Sequence, residues 1–475
     1  MRGWVLVLAL FAGAANAKEV SVRSEAADQK QLTVTVYETD LFHVNEQRLL
    51  ILPEGRVNLR LADVSPQMQA DTLLIRPLVS TNAPKVLEQT LNTQLLTPKS
   101  LLENFRGREA KLIKTHPTTG EETAELVTIV STQQGIVLKT QRHIEATVPG
   151  RLIFPDVPIE LTPTPAIDIL LDNPKQQAQL VELSYLSKGM RWQANYVAEL
   201  AADGKHLDLT AWATVYNTSD ADFSRATLRL VAGDVGQIHQ PRNYDMRSKT
   251  LMNVAMAESA PPITDAGSDY HLFSITEPTN LADRQQKQLL LFNARQVAVQ
   301  KNYELMGNGQ RYYRHASSEP ETQHALIKIA FANRADNQLG FPMPKGAFRV
   351  YQRSAQPLLF LGESLIDAQP EQRQVEIGLG RAFDIQAVYQ QTDFKQLPAV
   401  NGVAQTESAY SIRLRNSSNE AVSVTIAEPI PGDWQLLSSS HPAQSDRTPT
   451  ARWRLSVPPK QEQVLNYRVR IRQAH

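Results

Sequence analysis

Cysteine is absent from this chain of 475 residues, so no disulfide can form and lipid attachment through an N-terminal cysteine is excluded. A chain of this length can bury large hydrophobic cores and does not need covalent cross-links. An excess of either charge is also missing, because 49 Lys and Arg residues stand against 49 Asp and Glu residues. Proteins that bind nucleic acid or anionic membranes show a basic excess. The composition therefore argues against both kinds of partner.

Long apolar runs are missing after the N-terminus, and the N-terminal run is short. Arg2 precedes an apolar stretch over 5–11, and a small-x-small motif over 15–17 follows it, which is the pattern of a secretory signal peptide. A transmembrane helix needs about 20 apolar residues. We therefore predict cleavage of a Sec-type signal peptide between Ala17 and Lys18, a periplasmic or secreted mature chain, and no membrane span in that chain. An uncleaved N-terminal anchor is the alternative.

Motifs of known catalytic or cofactor chemistry are missing as well. The sequence has no Gly-x-Ser-x-Gly nucleophile elbow, no phosphate-binding loop and no dinucleotide fingerprint. Its 10 His residues are scattered singly, without the His-x-x-x-His pair that binds zinc on a helix. We therefore predict no cofactor, no metal site and no catalytic residue.

Alternation of apolar and polar residues is what the chain has instead. Leu32, Val34 and Val36 share one face of a predicted strand, and 464–471 alternates almost without interruption. The candidate strands are short and closely spaced, which favours antiparallel pairing because parallel strands need long crossovers. We predict an all-β, mainly antiparallel fold of several β-sandwich or immunoglobulin-like modules. It has one or two short helices, and a Thr-Pro pair at 97–98 predicts the start of one of them.

Composition shifts along the chain predict a series of modules. Four short strand candidates after the helix suit a small barrel of the SH3 type. The prolines over 155–165 indicate a linker, because proline cannot donate to a β-ladder. A polar segment over 236–269 predicts a mobile insertion. The predicted order is a signal peptide (1–17), an N-terminal β-domain (18–96), a small barrel-like module (97–150), a Pro-rich linker (151–182), a central β-sandwich (183–400) that contains the insertion, and a C-terminal immunoglobulin-like domain (401–475).

The stretch YLSKGMRWQANYVAEL, over 185–200, is the densest cluster of strand-type aromatics in the chain. We predict that strands over 179–185 and 192–200 pair as a hairpin, joined by a loop that contains Lys188 and Gly189, and open the central sandwich. The tryptophans that fall in strand patterns are predicted to be core residues: Trp192, Trp212, Trp434 and Trp453. Strand ends followed by small polar residues predict turns at Asn217, Asn333 and Asn416, because Asn bonds to its own backbone and tolerates left-handed geometry.

Four motifs in this order and spacing resemble a known family: YLSKGMRWQANYVAEL (185–200), FPMPKGAFRVYQ (341–352), LFLGESLI (359–366) and IGLGRAFDIQ (377–386). It is the family of exported bacterial proteins that carry the domain of unknown function 4139, related to the mucoidy inhibitor A group. The resemblance extends from about Leu183 to the C-terminus, and it implies a mostly β architecture without an established activity or catalytic residue. Many relatives carry a coiled coil before this domain. In this chain no apolar heptads are sustained, and the barrel-like module occupies that interval.

Residue types indicate two candidate sites. Tyr312 and Tyr313, beside Arg311 and Arg314, predict an exposed aromatic platform for a sugar or a peptide, because their rings combine apolar area with a hydroxyl. The alternative is that one ring is buried and the other exposed. A second candidate is a glycosidase-type carboxylate pair, drawn from acids near strand ends. These acids are Asp203, Asp208, Asp220, Asp222, Asp234, Glu363, Asp367 and Asp384, with Asp234 and Asp384 the first to test.

The function that these observations favour is non-catalytic. We predict a binding or scaffolding protein of the cell envelope that recognises a protein or a polysaccharide through sheet edges or loops, because an exposed edge can accept a partner strand. The alternative is a periplasmic hydrolase of the glycosidase type that uses paired carboxylates. A third hypothesis is self-assembly into an envelope or surface layer.

Overall fold

Alternating sequence becomes β-strand along most of the chain. A computed structural model describes residues 20–78, 84–92, 94–133, 135–158, 161–162, 164–233, 235–236, 270–313, 315, 320–353, 357–400, 403–444 and 449–473. These residues are mainly strand with one α-helix, so the predicted all-β, mainly antiparallel class is confirmed. The predicted cleavage site at Ala17 and Lys18 lies outside the described residues, as does the insertion beyond Gly236.

The described residues of the first part of the chain form thirteen strands and one α-helix. The strands of the first part are β1 (Val20–Ser24), β2 (Gln29–Tyr37), β3 (Phe42–Leu52), β4 (Gly55–Ala62), β5 (Leu74–Pro77), β6 (Lys85–Asn92), β7 (Glu109–Thr115), β8 (Glu122–Ser131), β9 (Val137–Lys139), β10 (Ile144–Glu145), β11 (Arg151–Ile153), β12 (Ala166–Asn173) and β13 (Gln177–Ser187). Helix α1 (Pro98–Asn104) lies between β6 and β7.

The remaining strands are longer on average. They are β14 (Met190–Leu200), β15 (His206–Asn217), β16 (Phe223–Ala232), β17 (His271–Ser274), β18 (Thr279–Leu281), β19 (Gln285–Met306), β20 (Glu321–Ala332), β21 (Gly346–Gln352), β22 (Leu359–Ile366), β23 (Gln374–Val400), β24 (Val403–Asn416), β25 (Val422–Pro429), β26 (Asp433–Ser439), β27 (Thr450–Val457) and β28 (Glu462–Gln473). Single turns of 3-10 helix occur at Ala26–Asp28, Ala70–Thr72, Gly309–Tyr313 and Ala335–Asn337.

The described residues divide into two compact units. Unit 1 holds those within 1–192, 215–244 and 272–287, and unit 2 holds those within 193–214, 245–271 and 288–475. The finer module boundaries drawn from the sequence stay a prediction. Unit 1 contains a four-stranded sheet ordered β1-β4-β12-β6, a seven-stranded sheet ordered β17-β16-β2-β3-β13-β5 with β18 on β16, and a five-stranded sheet ordered β10-β9-β8-β7-β11.

A buried ion pair interrupts the apolar face of β3 in unit 1. Glu46 and Arg48 point inward at positions where the alternation of β3 otherwise places apolar side chains, and Arg48 is fully buried. The Arg48 guanidinium lies 2.9 Å from Glu46 Oε1. Its Nη1 donates to Ala62 O at 3.0 Å and to Ser24 O at 3.3 Å. Because Ser24 and Ala62 belong to β1 and β4, this one side chain links the seven-stranded sheet to the four-stranded sheet.

The stretch 185–200 forms two strands, but the predicted hairpin is wrong. β13 pairs with β3 and β5, whereas β14 lies between β21 and β15 in another sheet. The turn is held from outside: Gly189 N donates to Asp40 Oδ1 at 2.8 Å, and Thr218 N donates to Gly189 O at 2.6 Å. Gly189 has φ +92°, and a Cβ there would overlap the backbone of Ser219. These bonds replace the cross-strand bonds of a hairpin turn, so the chain leaves one sheet and enters the next.

The tryptophans lie in the cores to different degrees. Trp192 and Trp453 are fully buried, as predicted, whereas Trp212 and Trp434 are half-buried. Trp192 Nε1 donates to Val231 O at 2.9 Å. Burying an indole with its N–H bonded avoids the cost of an unsatisfied donor.

The small module of unit 1 has the predicted strands and helix but no closed barrel. Helix α1 begins at the predicted Thr-Pro pair, where Thr97 Oγ1 accepts from Ser100 N at 3.1 Å and Pro98 takes the first helical position. Among the described residues, the end strands β10 and β11 pair only with β9 and β7. They contain 2 and 3 residues and do not pair with each other, so the sheet is open.

Unit 2 is organised by a twelve-stranded sheet ordered β22-β21-β14-β15-β19-β20-β23-β24-β28-β26, with β25 on β19 and β27 on β25. The region 401–475, predicted as an immunoglobulin-like domain, forms five strands, β24 to β28. Their inward positions build one apolar core, which includes Ile412, Leu414, Trp453, Leu465 and Ile471. Tyrosines from β23, β24 and β28 enter the same core and bring hydroxyl groups into it.

Candidate functional site

An apolar groove of about 660 Å³ lies in unit 1 between helix α1 and the segment 148–157. Pockets of this size commonly hold small ligands or short peptide segments. Its walls are almost entirely aliphatic or aromatic. The lining residues are Leu96, Thr97, Pro98, Leu101, Leu102, Ile136, Val148, Gly150, Leu152, Phe154 and Val157.

The groove exists because α1 is too short to cover the core of the small module. Phe105, Leu112 and Ile129 are buried in that core, and Leu101 and Leu102 pack against it from the helix. With 7 residues the helix makes about two turns. Apolar side chains beside it therefore stay exposed, Leu96 by 38% and Val157 by 50%.

Strand β11 gives the groove an open sheet edge. It pairs with β7 through Arg151↔Ile113, Leu152↔Leu112 and Ile153↔Lys111, and within the described part of the chain its other edge pairs with no strand. An unpaired edge presents N–H and C=O groups that a further strand can use. Leu152 faces the groove, and Gly150 permits the close approach to β7 because a Cβ there would overlap Ile113 O. The arrangement suits an extended apolar peptide.

The tyrosine pair predicted as a platform is divided between interior and surface. Tyr312 is 1% exposed and Tyr313 is 50% exposed. Both belong to the 3-10 turn Gly309–Tyr313, in which neighbouring side chains point about 120° apart. The two rings therefore do not form an exposed platform. Instead, the Tyr312 ring is buried and the Tyr313 ring is exposed. Arg314 lies outside the described residues.

Tyr312 belongs to a buried cluster in unit 2 that sequence reasoning missed. Its hydroxyl donates to Glu428 Oε2 at 3.1 Å and lies 2.8 Å from the Tyr467 hydroxyl. Tyr410 Oη donates to Arg311 O at 2.8 Å, which ties the 3-10 turn to β24. The Arg311 guanidinium lies 4.2 Å from the centre of the Tyr389 ring. We call Arg311, Tyr312, Tyr389, Tyr410, Glu428 and Tyr467 the tyrosine–glutamate cluster.

Glu428 is the buried acid of this cluster, with 1% of its surface exposed. Desolvation raises the pKa of its carboxyl to about 7, against the opposing effects of Arg311 and of the Tyr312 hydrogen bond. A signal for it existed in the sequence, because Val422, Val424 and Ile426 point inward and position 428 has the same parity. A carboxyl so deeply buried cannot reach a substrate without movement of the chain around it.

Most of the carboxylates considered for a glycosidase pair are engaged by backbone N–H groups or by arginines. Asp203 Oδ1 accepts from Lys205 N at 2.9 Å, a bond that leads the causes lowering the pKa of Asp203. Asp222 Oδ1 accepts from Asp283 N at 2.7 Å. In the same way Asp208 accepts from Gln296 N, while Asp220 and Glu363 pair with Arg284 and Arg349. Asp367 and Asp384 are exposed, and Asp234 lies outside the described residues.

A family model for a domain of unknown function (DUF4139) matches residues 181–474. The chain belongs to the DUF4139 family. No curated protein matches it. The extent predicted from the four motifs is thereby confirmed, whereas export and the relation to the mucoidy inhibitor group stay predictions. The DUF4139 region contains the tyrosine–glutamate cluster, and the groove precedes it in the chain.

Among the described residues of this DUF4139 protein, no group of three or more His, Asp or Glu residues is placed to hold a metal ion. No helix among them has the length and apolarity needed to cross a membrane.

The groove residues could not be identified from the sequence. Their exposure depends on the short lengths of α1 and β11 and on the open sheet between them.

Proposed function

We propose that this DUF4139 protein is a non-catalytic binding protein of the cell envelope that captures an extended apolar segment of a partner protein in the groove. The observation that carries the proposal is the combination of the apolar groove with the unpaired edge of β11. The edge supplies main-chain hydrogen bonds, and the groove accepts every second side chain of an added strand. The signal-peptide pattern of the first 17 residues supports export.

The lining favours a peptide over a polysaccharide. Sugars are bound through many hydrogen bonds to their hydroxyl groups, and the lining side chains offer one hydroxyl, that of Thr97. That hydroxyl already accepts from Ser100 N as the helix cap. Charges beside the groove are also engaged, since Arg151 pairs with Glu122 at 2.9 Å. Apolar burial therefore provides most of the affinity.

Peptide binding with defined probes tests the proposal. Fluorescent ten-residue peptides with alternating Leu or Val and polar residues are titrated by anisotropy against the mature chain. Matched peptides carry proline at the positions whose N–H groups would face the sheet edge. We expect saturable binding of the first set and loss of binding of the proline set, because proline cannot donate to a ladder. Equal binding of both sets, or preferential binding of a fatty acid, would contradict strand addition.

Variants localise the binding. Leu96→Asp with Val157→Asp changes two exposed lining residues and should weaken peptide binding at least tenfold. Leu126→Asp with Val130→Asp changes two exposed apolar residues of β8 outside the groove lining and should leave binding unchanged. Chromatography of the peptides after incubation tests for cleavage. Turnover of the peptide, or of a glycan or ester panel, would replace the proposal with a hydrolase.

A further inference from the structure

The connection between β19 and β20 in unit 2 closes over a buried carboxyl group. The residues from Gly307 to Tyr313 in this connection are called the 307–313 segment. Gly307 N donates to Ala427 O at 2.8 Å, which places the start of the segment beside the end of β25. The Tyr312 ring anchors its other end in the core, with its hydroxyl on Glu428.

Gly307 and Glu428 are in direct contact. A Cβ at position 307 would overlap the carboxyl group of Glu428, so the segment covers the acid with its own backbone. Gly309 approaches the same strand, since a Cβ there would lie 3.0 Å from Pro429 O. Water can reach the Glu428 carboxyl from this side only if the segment lifts.

The titratable groups facing Glu428 come from the 3-10 turn and from three strands, while β27 places Ala451 opposite it. The 3-10 turn contributes Tyr312 and Arg311, and Tyr389, Tyr410 and Tyr467 come from β23, β24 and β28. Glu321 of β20 lies beyond Arg311, whose Nη2 is 2.8 Å from Glu321 Oε2.

Arg311 is the cation that acts on Glu428 among the residues that the structure describes, and its charge is shared. Arg311 is paired with the exposed Glu321 and stacked on the Tyr389 ring, so its charge only partly compensates an ionised Glu428. The Tyr312 hydroxyl is shared between the acid and the Tyr467 hydroxyl, so Tyr467 is bonded to Tyr312 and does not itself solvate a negative charge on Glu428. A buried charge without full compensation is strongly unfavourable.

We propose that Glu428 and the 307–313 segment form a proton-operated latch, closed over the neutral carboxyl and opened by its ionisation. Opening hydrates the carboxylate, releases one proton to solvent and exposes the Tyr312 ring beside the exposed Tyr313. The closed state binds the proton more tightly than the open state, because burial disfavours the charged form. The pKa of about 7 for buried Glu428, against an ordinary value of 4.5, places the transition between mildly acidic and neutral pH.

Hydrogen exchange measured by mass spectrometry tests the latch in the intact chain. Exchange of the peptide that covers the 307–313 segment is recorded from pH 4.5 to 8.5 and corrected for the intrinsic pH dependence of amide exchange. Linkage of one proton predicts that protection falls about tenfold per pH unit between the two pKa values and levels off above about pH 7. Protection that does not change with pH would overturn the proposal.

Two variants identify the titrating group. Glu428→Gln keeps the size and polarity of the side chain without its charge and should give protection independent of pH. Glu420→Gln, an exposed acid that precedes the same strand, should keep the wild-type profile. Retention of the slope in Glu428→Gln would overturn the proposal.

A third variant covers the case in which Glu428→Gln fails to fold. Tyr312→Phe retains the ring and removes a hydrogen bond that lowers the pKa of Glu428. The pH at which protection levels off should therefore move upward in this variant. An unchanged pH profile in a folded Tyr312→Phe protein would contradict the latch.

Discussion

The carboxyl group of Glu428 occupies the space in which a side chain at position 307 would begin. Gly307 is therefore required by contact rather than by an unusual backbone angle. Gly307→Ala should destabilise unit 2 by about 1–3 kcal/mol, the usual cost of inserting a methyl group into a packed site. Gly378→Ala is the matched control, because its Cβ would find its nearest neighbour, Leu326 Cδ2, at 3.8 Å. Denaturant unfolding of both variants measures the difference.

A double-mutant cycle separates contact from backbone strain. In a Glu428→Ala background the overlap at Gly307 is gone, so Gly307→Ala should cost less there than in the wild type. Coupling of about 0.5–3 kcal/mol is typical of residues in contact. An equal cost in both backgrounds would assign the effect to the backbone at 307 and not to the carboxyl group.

The stability of unit 2 should fall as pH rises from about 4.5 to about 7. The folded-state pKa of Glu428 is raised to about 7 from 4.5, so the folded chain binds a proton that the unfolded chain has already released. That contribution is fully present below the unfolded pKa and is lost as pH passes through the folded pKa. The free energy of unfolding should decrease by roughly 3 kcal/mol over this range, at 1.36 kcal/mol per pKa unit.

The difference between wild type and Glu428→Gln isolates this contribution from other titrating groups. Denaturant unfolding at pH 5, 6, 7 and 8 should show the two stabilities converging or crossing as pH rises, since only the wild type loses its bound proton. Parallel pH profiles for the two proteins would mean that Glu428 does not titrate in this range.

The sequence predicted most of the strands but not their partners. β24 to β28 follow directly from alternation, and the turns at Asn217 and Asn416 are where the pattern placed them. These asparagines are buried, and Asn416 Nδ2 donates to Glu420 O at 2.7 Å and to Val457 O at 3.0 Å, so they join neighbouring segments as well as ending strands. The hairpin at 185–200 was wrong because spacing along the chain does not reveal that Asp40 and Thr218 hold its turn.

The candidate sites were less accessible to sequence reasoning. The alternation of apolar residues in β25 could have predicted that Glu428 points inward. Burial of Tyr312 against it could not have been predicted, because it depends on a 3-10 turn that lies 116 positions earlier in the chain. The groove forms because the small module has neither a longer helix nor a longer edge strand to cover its apolar residues. A sequence pattern shows which residues are apolar, but it does not show which of them stay uncovered.

Trp192 is expected to contribute to the stability of unit 1 through both its ring and its N–H group. It is fully buried, contacts Phe273 at a ring distance of 6.1 Å and donates to Val231 O. Trp192→Ala should cost about 3–5 kcal/mol. Trp192→Phe keeps part of the ring volume and should cost less, although Val231 O loses its donor. Thermal unfolding compares the two, and a stable Trp192→Ala variant would show that the residue is not a core residue.

The buried pair of Glu46 and Arg48 predicts an effect that depends on which partner remains. Arg48→Met removes the guanidinium that links β3 to Ser24 and Ala62, and it leaves the Glu46 carboxylate buried without its cation. Breaking a buried pair in this way should cost about 3–5 kcal/mol. The double variant Glu46→Met with Arg48→Met should be more stable than Arg48→Met alone, because apolar residues can replace a buried pair with little loss.

An exposed pair provides the matched control for this prediction. Arg349 and Glu363 form an ion pair at 3.0 Å with side chains that are 38% and 57% exposed. Arg349→Met should therefore change stability by less than about 1 kcal/mol, since solvent screens such pairs. If Arg48→Met were as mild as Arg349→Met, the guanidinium would not be the link between the two sheets. The stability of unit 1 would then rest on the apolar positions of β3, which point to the same side as Arg48.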